Sequence, residues 1–379
     1  MSEAGAPRVL RRRWVGLLAV VVLLAVALLA VVAVTSVPAA AAPPPTGLHV
    51  AGNRLLNGAG DPIVLRGVNR SGTEYMCVQG HGIFDGPDDD VSIAAIAAWH
   101  VNAVRVPLNE DCWLGLSTAP TQFAGERYRA AIAAYVTRLH AAGLAVVLDL
   151  HWSNGAEGGA TRQQPMADAA HAPDFWRSVA TRFAADRSVV FDLFNEPHGV
   201  SWTCWRDGGD CGVGYPVAGM QTLVDAVRST GALNPVLVGG LAWANDMSGW
   251  SRHRPSDPAG NLLASWHAYG DNSCVTAACW DAQVAPVLGS VPLVATEVGE
   301  RDCAHGFLDT LLPWLDRHGA GYLAWAWNSA DCAGFPALVT DASTGAPTAY
   351  GVGFRDHLAD LAAGSLADRF ARLVRRLPG

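Results

Sequence analysis

Val189-Val190-Phe191-Asp192-Leu193-Phe194-Asn195-Glu196-Pro197-His198 is an almost unbroken apolar run that ends abruptly in polar residues. Apolar character that continuous, over so short a length, marks a strand buried on both faces, as in a parallel sheet. With 189–197, seven more segments read the same way: 63–69, 102–108, 145–152, 235–241, 262–269, 292–299 and 321–328. Their starts lie 27 to 46 residues apart, which leaves room for a helix between successive strands. Amphipathic stretches fill that room, among them 126–142, 174–187, 217–230 and 307–318. Phe175, Val179 and Phe183 recur at i, i+4 and i+8, a helical stripe, and Gly143, Gly231 and Gly319 stand where helices end. Eight such units predict an α/β fold, a (β/α)8 TIM barrel with enlarged loops. The fifth unit, after Leu241, gives only a short helix signal. A hairpin over 48–62, turning at Asn57-Gly58, is expected before the barrel, and 354–376 reads as a terminal helix or two. A doubly wound open sheet is the alternative, but no Gly-x-Gly-x-x-Gly follows the first strand.

Composition narrows the chemistry. The chain of 379 residues has a formal net charge of -8 and no lysine, so all 26 positive charges are arginines. That excludes Schiff-base chemistry, pyridoxal-phosphate attachment and a P-loop lysine. The acidic balance argues against a nucleic-acid partner, which calls for a basic face. Glutamate is scarce: Glu3, Glu74, Glu110, Glu126, Glu157, Glu196, Glu297 and Glu300 complete the set. Where each falls is therefore informative.

Arg8, Arg11, Arg12 and Arg13 precede an uncharged apolar run of 21 residues, 14–34, and small residues follow it. Segment 1–42 is expected to be a signal peptide or an uncleaved transmembrane anchor, with the remainder extracellular. A short Pro-rich spacer, 43–47, leads into the catalytic barrel expected over 48–379, and any membrane association is assigned to the N-terminal segment alone. Eight cysteines lie beyond the apolar run, and an even count in an exported chain reads first as disulfides. They permit 105 pairings. Pairing of neighbours, 77 with 112, 204 with 211, 274 with 279 and 303 with 332, is one that staples successive loops. No C-x-x-C or H-E-x-x-H occurs, so no metal or cofactor is expected.

Barrels of this kind carry their chemistry at the C-terminal ends of the strands. Those ends hold Asn69, Arg105, His151, Asn195-Glu196, Trp243, His267, Tyr269, Glu297 and Trp327-Asn328. Two carboxylates across one mouth suit glycosidic cleavage, one protonating the leaving oxygen while the other attacks or activates water. A lone Glu at a strand end is as readily a buried partner of an arginine. Two of them beside an arginine, two histidines and two aromatics favour catalysis.

Residues 189–198 resemble the Asn-Glu-Pro signature of family 5 glycoside hydrolases, the cellulase family. The likeness extends over about 48–355 through Arg66-Gly67-Val68-Asn69, Arg105-Val106-Pro107, Asp149-Leu150-His151, His267-Ala268-Tyr269 and Trp325-Ala326-Trp327-Asn328. The resemblance implies a retaining β-glycosidase with Glu196 as acid/base and Glu297 as nucleophile. It implies that Asn195 binds the sugar 2-hydroxyl, that Arg105 and Tyr269 hold Glu297 in its charged form, and that His151 and His267 border the sugar. Trp327 is implied as the floor of the subsite at the cleaved bond. Val298 stands where the family usually places an aromatic, and Glu300 is the alternative carboxylate. Glu297 is favoured because it lies within the strand.

Fourteen tryptophans offer flat faces for sugar rings. Trp113, Trp152, Trp202, Trp205, Trp243 and Trp280 fall in or near loops after strands, whereas Trp99, Trp176 and Trp314 sit on helical stripes and read as core. The insert 201–214 is the candidate selector of substrate. Glu74 and Glu110 read as solvated loop carboxylates with outer sugar contacts as the alternative. A β-glycan or glycoconjugate is the expected partner of a monomer, endo-β-1,4-glucan first, then mannan or a glycolipid. A surface carbohydrate-binding barrel without turnover is the reading of another class.

Overall fold

The computed structural model describes residues 45–155 and 158–374. The expected signal or anchor, 1–42, lies outside the described residues. Among the described residues, no helix is long and apolar enough to cross a membrane.

Two short strands, β1 (His49–Ala51) and β2 (Arg54–Leu56), form the hairpin. Its register pairs His49 with Leu56 and Ala51 with Arg54, so the chain first reverses at Gly52-Asn53; an antiparallel bridge of Leu56 with Pro62 then closes a second reversal at the expected Asn57-Gly58. Gly52 takes φ +62°, a conformation that favours glycine. Asn57 shapes this second turn, its Oδ1 accepting from the Ala59 and Asp61 amides at 3.0 and 2.8 Å. Strands of three residues end before Asn57 is reached.

The barrel strands are β3 (Arg66–Asn69), β4 (Ala103–Asn109), β5 (Ala145–Trp152) and β6 (Val189–Asp192). The insert after β6 folds as a short helix, Trp202–Asp207, and a ribbon of β7 (Gly208–Asp210) and β8 (Pro216–Ala218). The barrel continues with β9 (Val236–Gly239), β10 (Leu262–Tyr269), β11 (Leu293–Gly299) and β12 (Gly321–Ala324). A last ribbon, β13 (Val339–Asp341) and β14 (Ala346–Pro347), precedes the terminal helix Ala349–Val374. All eight barrel strands run parallel and close in the order β10-β11-β12-β3-β4-β5-β6-β9.

Helices cover the outside. Helix Glu126–Ala141 buries Tyr128, Ile132, Tyr135, Val136 and Leu139. Helix Ala172–Phe183 has Pro173 in its first turn, where the missing N–H costs nothing, and buries the expected Phe175, Val179 and Phe183. Its neighbour starts later than periodicity alone suggests, at Met220, because 216–218 pair as β8. The fifth unit yields only Leu241–Ala244 and Trp250–His253. The reason is backbone: Ala242, Trp243 and Ala244 all sit at left-handed φ of 52–58°.

Four disulfides join the neighbouring cysteines Cys77 to Cys112, Cys204 to Cys211, Cys274 to Cys279 and Cys303 to Cys332, across 35, 7, 5 and 29 residues.

Inside the barrel the side chains change character with height. Near the strand starts they are apolar: Leu65, Ala103, Ala145, Val190, Leu263, Val294 and Leu323 pack with Leu48 and Leu55 of the hairpin region. Two or four residues further along the same strands stand Asn69, Arg105, Asp149, Asp192, Ser265, His267 and Thr296, all buried. A dry plug below and a polar layer above confine the chemistry to one end of the barrel.

Candidate active site

Arg105, on β4, is the hub of the polar layer and has no solvent exposure. Its Nε donates to Asp192 Oδ2 at 3.1 Å, Nη1 to Glu297 Oε1 at 2.8 Å and to Asn69 Oδ1 at 3.0 Å, and Nη2 to Asn195 Oδ1 at 2.8 Å. Asp149 Oδ2 lies 3.2 Å from Nη2. From β4 a planar fork with five donors reaches β3, β5, β6 with its following residues, and β11, a task the single ammonium of lysine does not match. Burial raises the pKa of both Asp149 and Asp192 while the guanidinium opposes it. The cation is what makes so many acids tolerable here.

Glu297 is placed by a local irregularity. Strand alternation would put Thr296 and Glu297 on opposite faces. The pairing of β10 with β11 jumps from Trp266↔Ala295 to His267↔Glu297, so Thr296 is an extra residue. This bulge re-aims the strand, and both side chains reach the polar layer. Glu297 Oε2 accepts from the Tyr269 hydroxyl at 2.6 Å. The Tyr269 ring lies against Gly299, where an added Cβ would stand 2.7 Å from a ring carbon.

Glu196 follows β6 and faces Glu297, with a carboxylate oxygen of each within 4.8 Å of the other. Its Oε1 lies 2.9 Å from His267 Nδ1, and its Oε2 accepts from Gln163 Nε2 at 2.6 Å. Burial raises the Glu196 pKa, and the Gln163 hydrogen bond opposes that shift. His267 and His151 are pushed down to about 3 and about 4, first by burial, so both rings are neutral at ordinary pH. His267 therefore meets Glu196 as a hydrogen-bond partner and not as a counter-ion. A neutral imidazole can present either an N–H or a lone pair, and so can serve both protonation states of the carboxyl. His151 Nδ1 donates to Asp149 Oδ2 at 2.9 Å, leaving Nε2 to accept from Asn195 Nδ2 at 3.3 Å.

Of the predicted site residues, Arg105, His151, Asn195, Glu196, His267, Tyr269 and Glu297 form one contiguous set. Trp327 does not join it. It is fully buried, edge-on to Trp99 at 4.9 Å, and its Nε1 donates to Ala342 O. The tryptophan that borders the set is Trp325, half-buried and stacked on His151 at 5.3 Å. The chain leaves β12 at Ala324, so strand periodicity no longer fixes which tryptophan faces the mouth. Glu300 is occupied elsewhere: its Oε1 accepts at 2.8 Å from Leu308 N, a free amide in the first turn of helix Gly306–His318.

Glu74 and Glu110 are not solvated, at 3% and 0% exposure. Glu74 accepts from Gly72 N at 2.6 Å, and Glu110 from Asn154 N at 2.7 Å. Trp113, Trp205 and Trp280 are fully buried, each with its indole N–H satisfied. Trp152 and Trp202 are half-buried, while Trp243 is 52% exposed and stacks on His198 at 4.5 Å. Gln163 was not among the expected residues. It belongs to no strand end and carries no charge, so only the fold brings it to Glu196.

A closed (β/α)8 barrel with two carboxylates facing each other at its C-terminal mouth defines the class of two-carboxylate barrel domains. The family model for cellulase (glycosyl hydrolase family 5) matches residues 56–331, and the chain belongs to that family. It is 29% identical to a mannan endo-1,4-beta-mannosidase of Streptomyces lividans over 74% of this chain and 66% of that protein. It is 25% identical to Endoglucanase CelA of the same organism, over 75% of this chain and 56% of that protein. The chain thus spans about two thirds or less of the length of these curated relatives. Among solved structures, a β-mannanase from Streptomyces thermolilacinus matches at TM-score 0.57 and 28% identity, covering 78% of this chain and 89% of that one. A β-glucanase from Saccharophagus degradans in complex with cellotetraose has the same fold at TM-score 0.64 and 19% identity, covering 83% and 93%.

Proposed function

We propose that this domain hydrolyses internal β-1,4 bonds of a hexose polysaccharide with retention of anomeric configuration. The observation that carries the reading is the approach of Glu196 to Glu297 within 4.8 Å, each carboxylate with its own set of partners. A separation this short suits direct attack by one carboxylate, whereas inverting enzymes leave room for a water. Glu297, held between Arg105 and Tyr269, attacks the anomeric carbon while Glu196 gives its proton to the departing glycosidic oxygen. The C–O bond breaks and a glycosyl ester forms. A water then surrenders a proton to Glu196 and adds to the anomeric carbon, and Glu297 leaves as a carboxylate. Burial favours the protonated acid that the first step needs.

Aromatics at two places on the mouth support an endo mode. Trp325 follows β12 and, with Tyr75 and Phe335, lines a cavity of about 240 Å3. Trp243 follows β9, three strands away around the barrel. Mannan is the favoured main chain, because relatives at 28–29% identity over 74–78% of this chain are named for it, whereas endoglucanases reach 28% only over about a third of it. Glucan is the second reading, carried by the endoglucanases at 24–25%. The four disulfides and the basic-then-apolar N-terminus support export, with the domain acting outside the cell as a secreted or anchored form. Incubation with mannan, glucomannan, carboxymethylcellulose and a glycolipid, with product sizing and NMR of the first-formed anomer, tests the proposal. Release of the inverted anomer, or of monosaccharide alone, overturns it.

A further inference from the structure

Beside the catalytic mouth stands a second group of acidic and imidazole ligands that takes no part in the reaction above. Glu110, just after β4, and Asp168, just before helix Ala172–Phe183, are buried at 0% and 3% exposure. Along with His171, each offers one ligand atom within 4.8 Å of the others. One oxygen of each acid is satisfied: Glu110 Oε2 by Asn154 N, and Asp168 Oδ1 by the Ala170 and His171 amides at 3.0 and 2.8 Å. The remaining two, Glu110 Oε1 and Asp168 Oδ2, are buried and receive no hydrogen bond from any other group, so that the side-chain contact between the two acids needs a proton or a cation. Among the described residues neither acid pairs with an arginine, and the cation-capable neighbour is His171, 3.2 Å from Asp168 Oδ1. Two buried carboxylate oxygens side by side destabilise the fold unless a positive charge or a proton sits between them.

We propose that Glu110, Asp168 and His171 bind one divalent transition-metal ion of the kind that accepts carboxylate and imidazole ligands together, Zn2+ or Mn2+. Two oxygens and one nitrogen are a mixed donor set that Ca2+, with its demand for six to eight oxygens, does not match. A surface cavity of about 540 Å3, lined by Asn154, Asp168, His171 and Tyr215, gives the ion a way in and room for water ligands. The ion ties the loop after β4 to the far end of the loop after β5. That second loop carries Gln163, so the metal braces the residue that touches Glu196.

The rival occupant is a single proton shared by the two acids, and calorimetry separates the two. Full-length protein stripped with chelator and desalted is titrated with ZnCl2 and, separately, MnCl2, with CaCl2 for comparison. The proposal expects one site per chain for Zn2+ or Mn2+ and a higher Tm on loading. Glu110→Gln abolishes that site. His171→Ala, a change at a partly exposed ring, weakens it at least tenfold. Glu196→Gln, which alters the other carboxylate cluster, leaves it intact. Cooperative unfolding of each stripped variant confirms that it is folded. No binding by the wild type, or binding that survives Glu110→Gln and His171→Ala unchanged, overturns the site.

Discussion

Carboxylate oxygens of Glu196 and Glu297 lie within 4.8 Å of each other, yet their partners differ in kind. Glu297 receives a guanidinium and a phenol, while Glu196 receives an amide and a neutral imidazole. On the mechanism proposed above, this asymmetry makes the two roles separable by experiment. Glu196→Ala should lower kcat on polysaccharide by about 10²- to 10⁴-fold, the usual worth of a general acid or base. An aryl glycoside with a good leaving group needs no acid in the first step, so the variant should trap a glycosyl ester. Intact-mass spectrometry should show the adduct, and peptide mapping should place it on Glu297. Glu297→Ala should give no adduct at all. An adduct elsewhere, or wild-type turnover by either variant, sinks the assignment.

Gln163 should help to set the pH at which the proposed acid loses its proton. Its N–H donates to Glu196 Oε2 at 2.6 Å, which stabilises the charged carboxylate and pulls its pKa down against burial. A hydrogen bond to a charged group is worth about 1.5–3 kcal/mol, on the order of one to two pH units. Gln163→Leu keeps the bulk and removes the donor. The alkaline limb of kcat/KM should move to higher pH by roughly one unit, because the acid stays protonated longer. A limb that stays put, or moves down, contradicts the role.

The eight strands were legible in the sequence because each is short, apolar and followed by a polar end, and that pattern survives whatever the loops do. The polar half of the barrel interior was legible for the same reason: Arg105, His151 and His267 break apolar runs, the two histidines towards the C-terminal ends of their strands. What periodicity misjudged lies where the chain stops being periodic. The bulge at Thr296 is a matter of pairing with β10, and no feature of 293–299 alone announces it. Gln163, Asp168 and His171 come from a loop with no repeat to read. Glu74 and Glu110 read as solvated because acids after strands usually are, whereas here backbone amides draw them inward.

Glu74 should make stability depend on pH. Burial raises its carboxyl from the ordinary value to about 8, with the Gly72 amide among the opposing influences. A carboxyl whose folded pKa is raised contributes stability that is fully present below its unfolded pKa and is lost as pH rises through the folded one. The window runs from about 4.3 to about 8. Across it the wild type should weaken relative to Glu74→Gln by up to about 1.4 kcal/mol per pH unit. Urea denaturation of both proteins at pH 5 and pH 8 measures the change in their difference, whatever constant offset the substitution brings. A difference that is flat with pH, or that moves the other way, shows that Glu74 ionises normally in the folded state.

Trp325 and Trp327, two residues apart, should fail in opposite ways. Trp327 is wholly enclosed, packs edge-on against Trp99 and has its N–H bonded to a backbone carbonyl. Truncating such a ring leaves a cavity, so Trp327→Ala should cost about 3–5 kcal/mol. Trp325 is half-buried, stacks on His151 and borders an open cavity beside the carboxylate pair, so little packing is lost with it. Trp325→Ala should leave the urea midpoint within about 1 kcal/mol of wild type while lowering kcat/KM by about tenfold or more. A tenfold loss corresponds to about 1.4 kcal/mol of transition-state stabilisation. Denaturation curves and steady-state kinetics on both variants decide the matter. Should Trp327→Ala prove as stable as wild type yet inactive, the tryptophan facing the sugar has been assigned to the wrong position.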